Sequence, residues 1–173
     1  VASGRTKVLT DYLMEQLPFL DYLVTSNGAV TYDLKSGEVV CQTLIDHKQS
    51  VEIFDILKDY NLIYEIYFNG ECFMNEKSYG MFDKEHVSPH IHELLKDFIK
   101  PKTDLAEFIG NDGVEKLNIL SLTSEERMEI EEKVLKIGKV AFASSFPIIK
   151  GVNGNLEMTN TEATKGFAVK ELC

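Results

Sequence analysis

The sequence has few of the features that define disulfide-rich, metal-binding or membrane proteins. Only three cysteines are present, Cys41, Cys72 and Cys173, and they are widely spaced with no Cys-x-x-Cys pair. A small, odd and scattered set of this kind predicts neither a disulfide framework nor a zinc site, and it is typical of a reducing cytoplasm. No apolar run approaches the roughly 18 residues that are needed to cross a membrane. We therefore expect a cytoplasmic location and no membrane partner.

Positive charge is also scarce. The 173 residues include 18 lysines and arginines against 28 aspartates and glutamates, which gives a formal net charge of −10. Because binding to a nucleic-acid backbone needs a basic face, this balance predicts no nucleic-acid partner. A small phosphorylated metabolite is still compatible with the charge, since one local cluster of cations and hydrogen-bond donors is enough to hold a single phosphate.

The middle of the chain alternates hairpins and helices. Asn69-Gly70 is the strongest short hairpin signal, Asp104 caps a short helical turn, and residues 123–126 (Thr-Ser-Glu-Glu) form a capping box. Such an alternation is typical of an α+β fold, with a mainly antiparallel sheet and helices on one face. The predicted elements are, in order, a hairpin at 29–44, a helix at 47–60, a hairpin at 62–74, a helix from 88, a helical turn at 104–110, a strand at 114–122, a helix from 123, and short strands at 139–144, 147–150 and 156–158.

The N-terminal residues have a different pattern. Apolar residues between positions 8 and 17 recur with helical spacing, and Pro18 ends the predicted helix. Residues 22–24 (Tyr-Leu-Val) form a short apolar run of the kind found in buried parallel strands. These two segments resemble part of an α/β core sheet rather than the α+β middle of the chain.

Two short motifs are candidates for an anion site. Ser3-Gly4-Arg5 lies where a predicted strand turns into a helix. The Ser3 hydroxyl and the free N–H groups of the first helical turn would converge there on an anion, which the helix dipole also favours. Lys165, at the start of the last predicted helix, would add a compact cation beside the same anion. Taken alone, a Ser-Gly pair at such a junction is a weak signal.

Together with residues 25–29 (Thr-Ser-Asn-Gly-Ala), these motifs resemble those of haloacid dehalogenase-like (HAD) phosphatases, specifically the Cof-type group. The resemblance extends over the whole chain. It implies that Ser3 and Gly4 bind phosphate, and that Lys165 is catalytic because it neutralises the charge of an aspartyl-phosphate and its transition state. Arg5 and Asn27 match positions at the junction of core and cap, where they either face the substrate or fix the hinge.

The resemblance also implies that part of the catalytic machinery lies outside this chain. The family's nucleophile is the first Asp of an Asp-x-Asp motif, and its last motif supplies further Asp ligands for Mg²⁺. The chain has no Asp-x-Asp, and residues 110–113 (Gly-Asn-Asp-Gly) are typical of a turn. The implied fold is an α+β cap domain over residues 28–154, flanked by remnants of an α/β Rossmann-like HAD core at residues 1–27 and 155–173.

The implied function is that of a fragment of a magnesium-dependent phosphatase acting on a small phosphorylated metabolite such as a sugar phosphate. By this interpretation the chain alone is inactive and supplies no metal ligand. The alternatives are a non-catalytic cap-like module for binding or oligomerisation, and a natural pseudoenzyme. The presence of Ser3 and Lys165 favours the phosphatase, because a free-standing module has no need of phosphate-motif residues.

The remaining polar groups of interest are predicted to have structural roles. Glu157, in the last predicted strand, is expected to orient the hinge rather than to take part in catalysis. His86, His90 and His92 have a spacing that suggests a metal site, but Pro89 interrupts the helix that would align the first two. Histidines exposed to solvent at a helix N-terminus are the predicted alternative.

Overall fold

Two β-sheets organise the chain. A computed structural model describes residues 1–82, 87–144 and 154–172. Within these residues the smaller sheet is an antiparallel set of three strands in the order β1–β2–β3, which are β1 (Tyr22–Thr25), β2 (Val30–Asp33) and β3 (Val39–Gln42).

The larger sheet is mixed. Its described strands are β4 (Tyr64–Phe68), β5 (Glu71–Asn75), β6 (Ile99–Lys102), β7 (Lys116–Ile119), β8 (Val140–Ala143) and β9 (Leu156–Asn160). They lie in the spatial order β6–β5–β4–β7–β9–β8. The β5–β6 pair is parallel, and the other described pairs are antiparallel.

Helices connect these strands. They are α1 (Asp11–Gln16), α2 (His47–Leu57), α3 (Glu76–Met81), α4 (Pro89–Leu95), α5 (Leu105–Ile109), α6 (Ser124–Leu135) and α7 (Lys165–Glu171), with short 3-10 helices at Lys7–Leu9 and Ser26–Gly28. None of the helices in the described ranges is long and apolar enough to span a membrane.

One face of the large sheet is apolar and covered by helices. Along β4, Tyr64, Ile66 and Phe68 point to this face and alternate with Glu65 and Tyr67, as the two-residue period of a strand requires. The apolar face packs against α2, α5 and α6 to form the main hydrophobic core. Each fully buried Leu or Ile there contributes about 1.5–3 kcal/mol of transfer free energy. A mixed sheet flanked by helices confirms the α/β character of the fold.

Local signals in the sequence correspond to real turns and caps. Asn69 and Gly70 have φ values of +50° and +77°, the left-handed pair that a tight hairpin turn needs. The Asp104 carboxylate accepts hydrogen bonds from the N–H groups of Ala106 and Glu107 at the start of α5. The capping box predicted at residues 123–126 opens α6. A second capping box, at residues 46–49, opens α2 and was not predicted.

The N-terminal strand agrees with the prediction only in part. β1 was expected to be a parallel strand, but it pairs along its length with β2 in an antiparallel hairpin. A single parallel bridge joins Ala2 to Val24. The short 3-10 turn at Ser26–Gly28 is the physical reason for the antiparallel pairing of β1 with β2. A connection of a few residues can join antiparallel strands but is too short for a parallel crossover. The helix predicted before Pro18 is split into the 3-10 helix at Lys7–Leu9 and α1.

The sequence pattern missed one strand of the large sheet and gave no partner for another. β6 was missed because it contains Pro101, which lacks an N–H; the strand lies at the sheet edge, where that loss is tolerated. β9 pairs with β7 and β8, so residues 156–160 belong to the large sheet. The division of the chain into a cap at residues 28–154 and flanking core segments stays a prediction. The strand predicted at 147–150 lies outside the described residues.

Candidate functional site

A cleft of about 740 Å³ lies between the N-terminal segment and the second face of the large sheet. Four of the five predicted site residues line it: Ser3, Gly4, Arg5 and Asn27. The sheet supplies a set of polar residues that the motifs did not indicate, namely Glu65, Tyr67, Lys116, Asn118 and Glu157. The structure thus brings residues from both ends and the middle of the chain into one cavity.

The segment that carries Ser3 is fixed by backbone hydrogen bonds to the end of β1. The N–H of Ser3 donates to the carbonyl of Val24 at 2.8 Å, and the Ser3 carbonyl accepts from the N–H of Asn27 at 3.1 Å. The N–H of Arg5 donates to the Ser3 hydroxyl oxygen at 3.1 Å. The Ser3 hydroxyl accepts this bond, so its own proton is available for an anion in the cleft.

The crossing from β1 to β2 has an unusual backbone. Ser26, Asn27 and Gly28 have φ values of +50°, +63° and +113°, all in a region that side chains disfavour. Such strain persists only where surrounding contacts hold it. At Gly28 an added Cβ would lie 2.8 Å from the backbone nitrogen of Lys165 and would overlap the carbonyl of Thr164. Glycine is required here both for its conformation and for the close approach of α7.

Lys165 lies next to this crossing but not among the residues that line the cleft. It is the first residue of α7, which is capped by the Thr164 hydroxyl oxygen accepting from the N–H of Phe167 at 3.0 Å. Its backbone packs against Gly28, and its side chain is exposed. The backbone of Lys165 thus lies against the crossing at Gly28, and its predicted place beside the Ser3 segment stays a prediction.

An ion pair between a buried lysine and a partly buried glutamate joins the two sides of the cleft. Lys116 is only 3% exposed, and its Nζ donates to the carbonyl of Gly4 at 2.9 Å and to Oε2 of Glu157 at 3.1 Å. The same Oε2 accepts from Nδ2 of Asn27 at 2.8 Å. The Lys116 ammonium also lies 4.8 Å from the centre of the Tyr67 ring. Glu157 therefore does contact the predicted hinge residue, and Lys116 is a site residue that the motifs missed.

A second carboxylate lies deeper on the same sheet face. Glu65 is 3% exposed, and its Oε1 accepts from the Tyr67 hydroxyl at 3.1 Å and from Nδ2 of Asn118 at 3.0 Å. Its Oε2 accepts from the Cys72 thiol at 3.1 Å. Burial, reinforced by the charge of Glu65, raises the pKa of both Tyr67 and Cys72 well above the usual range, so both remain protonated donors.

A third buried carboxylate stabilises the strained crossing from behind. Glu115 accepts from the Ser26 hydroxyl at 2.6 Å and from the N–H of Gly70 at 2.7 Å. Burial raises the pKa of Glu115, and these two hydrogen bonds offset part of the increase. The crossing is in this way tied to the tight turn of the second hairpin.

The outer wall of the cleft is apolar and comes from the 3-10 helix at Lys7–Leu9, α1 and the α4 region. It is formed by Leu9, Tyr12, Leu94, Leu95 and Phe98. Arg5 is exposed at the rim, where its Nη1 donates to the Tyr12 hydroxyl at 3.3 Å. One wall can thus pack against a carbon skeleton while the other offers hydrogen bonds.

No metal centre is built into the described ranges. Within them, no group of three or more His, Cys, Asp or Glu side chains is placed to hold a metal ion. Residues 110–113 form the predicted turn after α5. His90 is exposed, but His92 is not fully solvated, because its ring stacks on Phe82 with the centroids 5.7 Å apart. His86 lies outside the described residues.

The missed residues have a common sequence signal. β4 and β7 read as apolar strands, but each has polar residues at alternate positions, Glu65 in β4 and Lys116 and Asn118 in β7. A strand whose second face is polar can be inferred from that period. The partners of these side chains cannot, because Gly4 and Lys116 are 112 residues apart.

One known protein family matches the sequence, and several solved structures are similar to the fold. A family model described as haloacid dehalogenase-like hydrolase matches residues 1–173, in agreement with the resemblance of the sequence motifs. No curated protein sequence matches the chain.

Three solved structures show the similarity in fold. A haloacid dehalogenase-like hydrolase from B. subtilis is 17% identical with a TM-score of 0.72, over 98% of this chain and 64% of that one. TM0651 from Thermotoga maritima is 21% identical with a TM-score of 0.71, over 99% and 60%. The HAD subclass IIB sugar phosphatase BT4131 is 15% identical with a TM-score of 0.69, over 99% and 59%. The chain therefore spans less than two thirds of the length of these proteins, and identities this low show a common fold alone.

Proposed function

Because this chain belongs to the haloacid dehalogenase-like hydrolase family, we propose that it forms the phosphate- and leaving-group-binding part of a phosphatase. The substrate is a small phosphorylated metabolite such as a sugar phosphate. The nucleophilic Asp and the carboxylates that bind Mg²⁺ belong to other parts of the protein, so this chain alone is inactive. BT4131, one of the proteins with a similar fold, is itself described as a sugar phosphatase.

The observation that supports this proposal is the convergence of Ser3, Asn27 and Lys165 on one crossing. Backbone hydrogen bonds join the Ser3 segment to Asn27, and α7 packs against Gly28. We assign the Ser3 hydroxyl and the Gly4 backbone to phosphate binding. A hydrogen bond from a hydroxyl to a charged phosphate oxygen contributes about 1.5–3 kcal/mol.

Lys165 is assigned to the developing negative charge. Its exposed side chain begins at the N-terminus of α7, beside the crossing, and a single ammonium near a transferring phosphoryl group stabilises the transition state more than the ground state. Asn27 and Arg5 have lesser roles. Asn27 is held by Glu157 and fixes the junction, whereas Arg5 stands at the rim, where it can meet the substrate.

The family implies Mg²⁺, which when bound neutralises phosphate charge and orients the attacking carboxylate. The residues described here do not provide a site for it, since no cluster of three potential ligands is found among them. This chain's own contribution is to hold the phosphate, to close one side of the cleft against water and to contact the leaving group.

Turnover by the longer protein that contains this chain tests the proposal. Lys165→Ala should lower kcat on phosphate monoesters by about 100-fold or more, since removing one preorganised charge or donor typically costs this much. Lys170→Ala is the matched control, because Lys170 is an exposed lysine on the same helix, and it should leave kcat unchanged. A Lys165→Ala variant with unchanged turnover would contradict the assignment, and absence of turnover by the unmodified longer protein would contradict the phosphatase itself.

A further inference from the structure

Glu65 lies in the cleft beyond the ion pair of Lys116 and Glu157. In the pairing of β4 with β7, Tyr67 is opposite Lys116 and Glu65 is opposite Asn118. Two residues along a strand are about 7 Å, so Glu65 is one repeat farther along the same sheet face. Since Lys116 Nζ touches the carbonyl of Gly4, the distance from the phosphate-binding segment to Glu65 suits a short carbon chain.

The hydrogen-bonding capacity of Glu65 is not exhausted by its neighbours. A carboxylate has about four lone-pair directions. Oε1 uses two of them for Tyr67 and Asn118, whereas the only donor to Oε2 within the described part of the chain is the Cys72 thiol, which is weak. Among the residues that the structure describes, no lysine or arginine forms an ion pair with Glu65. The group therefore offers the cleft an acceptor with negative charge.

We propose that Glu65 is a specificity-determining residue, which accepts a hydrogen bond from a donor on the leaving group and disfavours leaving groups that end in a second anion. This inference rests on the proposed function, because the phosphate has to lie near Ser3 for the rest of the substrate to reach Glu65. The apolar wall of Leu94, Leu95 and Phe98 packs against the carbon skeleton between the two ends.

The physical basis is the low polarity around the carboxylate. Glu65 is nearly inaccessible to solvent, so water screens its charge poorly. A second anion placed there meets like charge, and a hydroxyl or ammonium meets an acceptor that is already oriented by Tyr67 and Asn118. Three donors around Glu65 also keep its carboxylate from moving away from an unsuitable ligand.

The test uses three linear six-carbon phosphates that differ only at the end remote from the phosphate. Glucitol 6-phosphate ends in a hydroxyl, 1-amino-1-deoxyglucitol 6-phosphate in an ammonium, and 6-phosphogluconate in a carboxylate. Binding of each to the 173-residue chain is measured by calorimetry or NMR titration, with inorganic phosphate as the reference. We expect the first two to bind at least about ten-fold more tightly than the carboxylate.

Two variants locate the effect. Glu65→Gln should reduce the difference between the carboxylate and the other two ligands to about two-fold or less, because the charge is removed and the shape is kept. Glu125→Gln, on an exposed face of α6 across the sheet, removes the same charge elsewhere and should preserve the difference. If Glu65→Gln fails to fold, the affinities of the three ligands for the unmodified chain still test the proposal, because equal binding overturns it.

The outcomes separate this inference from the proposed function. Equal binding of all three ligands, or a difference that survives in Glu65→Gln, overturns the role of Glu65 even if inorganic phosphate binds. Failure of inorganic phosphate and of all three esters to bind overturns both proposals. Weaker binding of 6-phosphogluconate that disappears only in Glu65→Gln supports the assignment.

Discussion

Replacing Gly28 by alanine should loosen the contact between α7 and the Ser26–Gly28 crossing. Gly28 has a φ of +113°, and a new Cβ would lie 2.8 Å from the backbone nitrogen of Lys165. The unfavourable backbone conformation costs about 1–3 kcal/mol, and the overlap with a well-packed backbone costs about a further 1–3 kcal/mol. We therefore expect Gly28→Ala to lower the free energy of unfolding by about 2–6 kcal/mol.

Gly37→Ala separates the two contributions. Gly37 also has a positive φ, +77°, but an added Cβ would meet no atom within 4 Å. Both substitutions restrict the unfolded chain equally, so this effect cancels in the comparison. Urea unfolding of both variants and hydrogen exchange in α7 provide the measurement, with exchange expected to speed up only in Gly28→Ala. If Gly28→Ala were no more destabilising than Gly37→Ala, and α7 were equally protected from exchange in both variants, the inferred close packing of α7 against Gly28 would be contradicted.

Three further predictions concern the buried charges and one helix cap. Burial raises the pKa of Glu115 in the folded chain. The stability that protonated Glu115 contributes is therefore fully present below the unfolded pKa of about 4.3, and it is lost as the pH rises through the folded pKa. Glu115→Gln should gain stability relative to the parent as the pH rises through that window, and a difference in urea unfolding that does not change with pH would contradict this. Lys116→Met removes a cation that donates to the partly buried Glu157 carboxylate, and it should cost about 3–5 kcal/mol, part of which the double variant with Glu157→Gln recovers. A double variant no more stable than Lys116→Met would show that the pair is not coupled. Thr123→Ala removes the cap of α6 and should cost about 1 kcal/mol in the same assay, whereas Ser124→Ala should have little effect.

The predictable parts of the fold are those in which neighbouring residues carry the signal. Asn69-Gly70, Asp104 and Thr123 act on backbone groups within a few residues, so their turn and caps could be identified from the sequence. The place of β9 in the large sheet depends on pairing with residues about forty positions away, at Leu117–Ile119, and no local pattern encodes that partner.

In the candidate site, too, local motifs could be predicted and contacts between distant residues could not. The motifs indicated Ser3, Gly4, Arg5 and Asn27, and the structure places these four in one cleft. Lys165 is near the crossing but is not among the residues that line the cleft. Its position is set by the start of α7 after Thr164, which the motif alone does not specify. The buried charges of Lys116 and Glu65 were missed since a lone charged residue in an apolar strand does not reveal which distant partner permits its burial.

The central claim is that Ser3, Gly4 and Lys165 contact one phosphate, with Asn27 fixing the junction beside them. Titration of the ¹⁵N-labelled chain with inorganic phosphate, followed through the backbone amide signals, tests that claim without requiring catalysis. We expect the amides of these four residues to shift together along a single binding curve, with Lys170 unaffected. Shifts confined to other lysines, or different binding curves for Ser3 and Lys165, would contradict a common site.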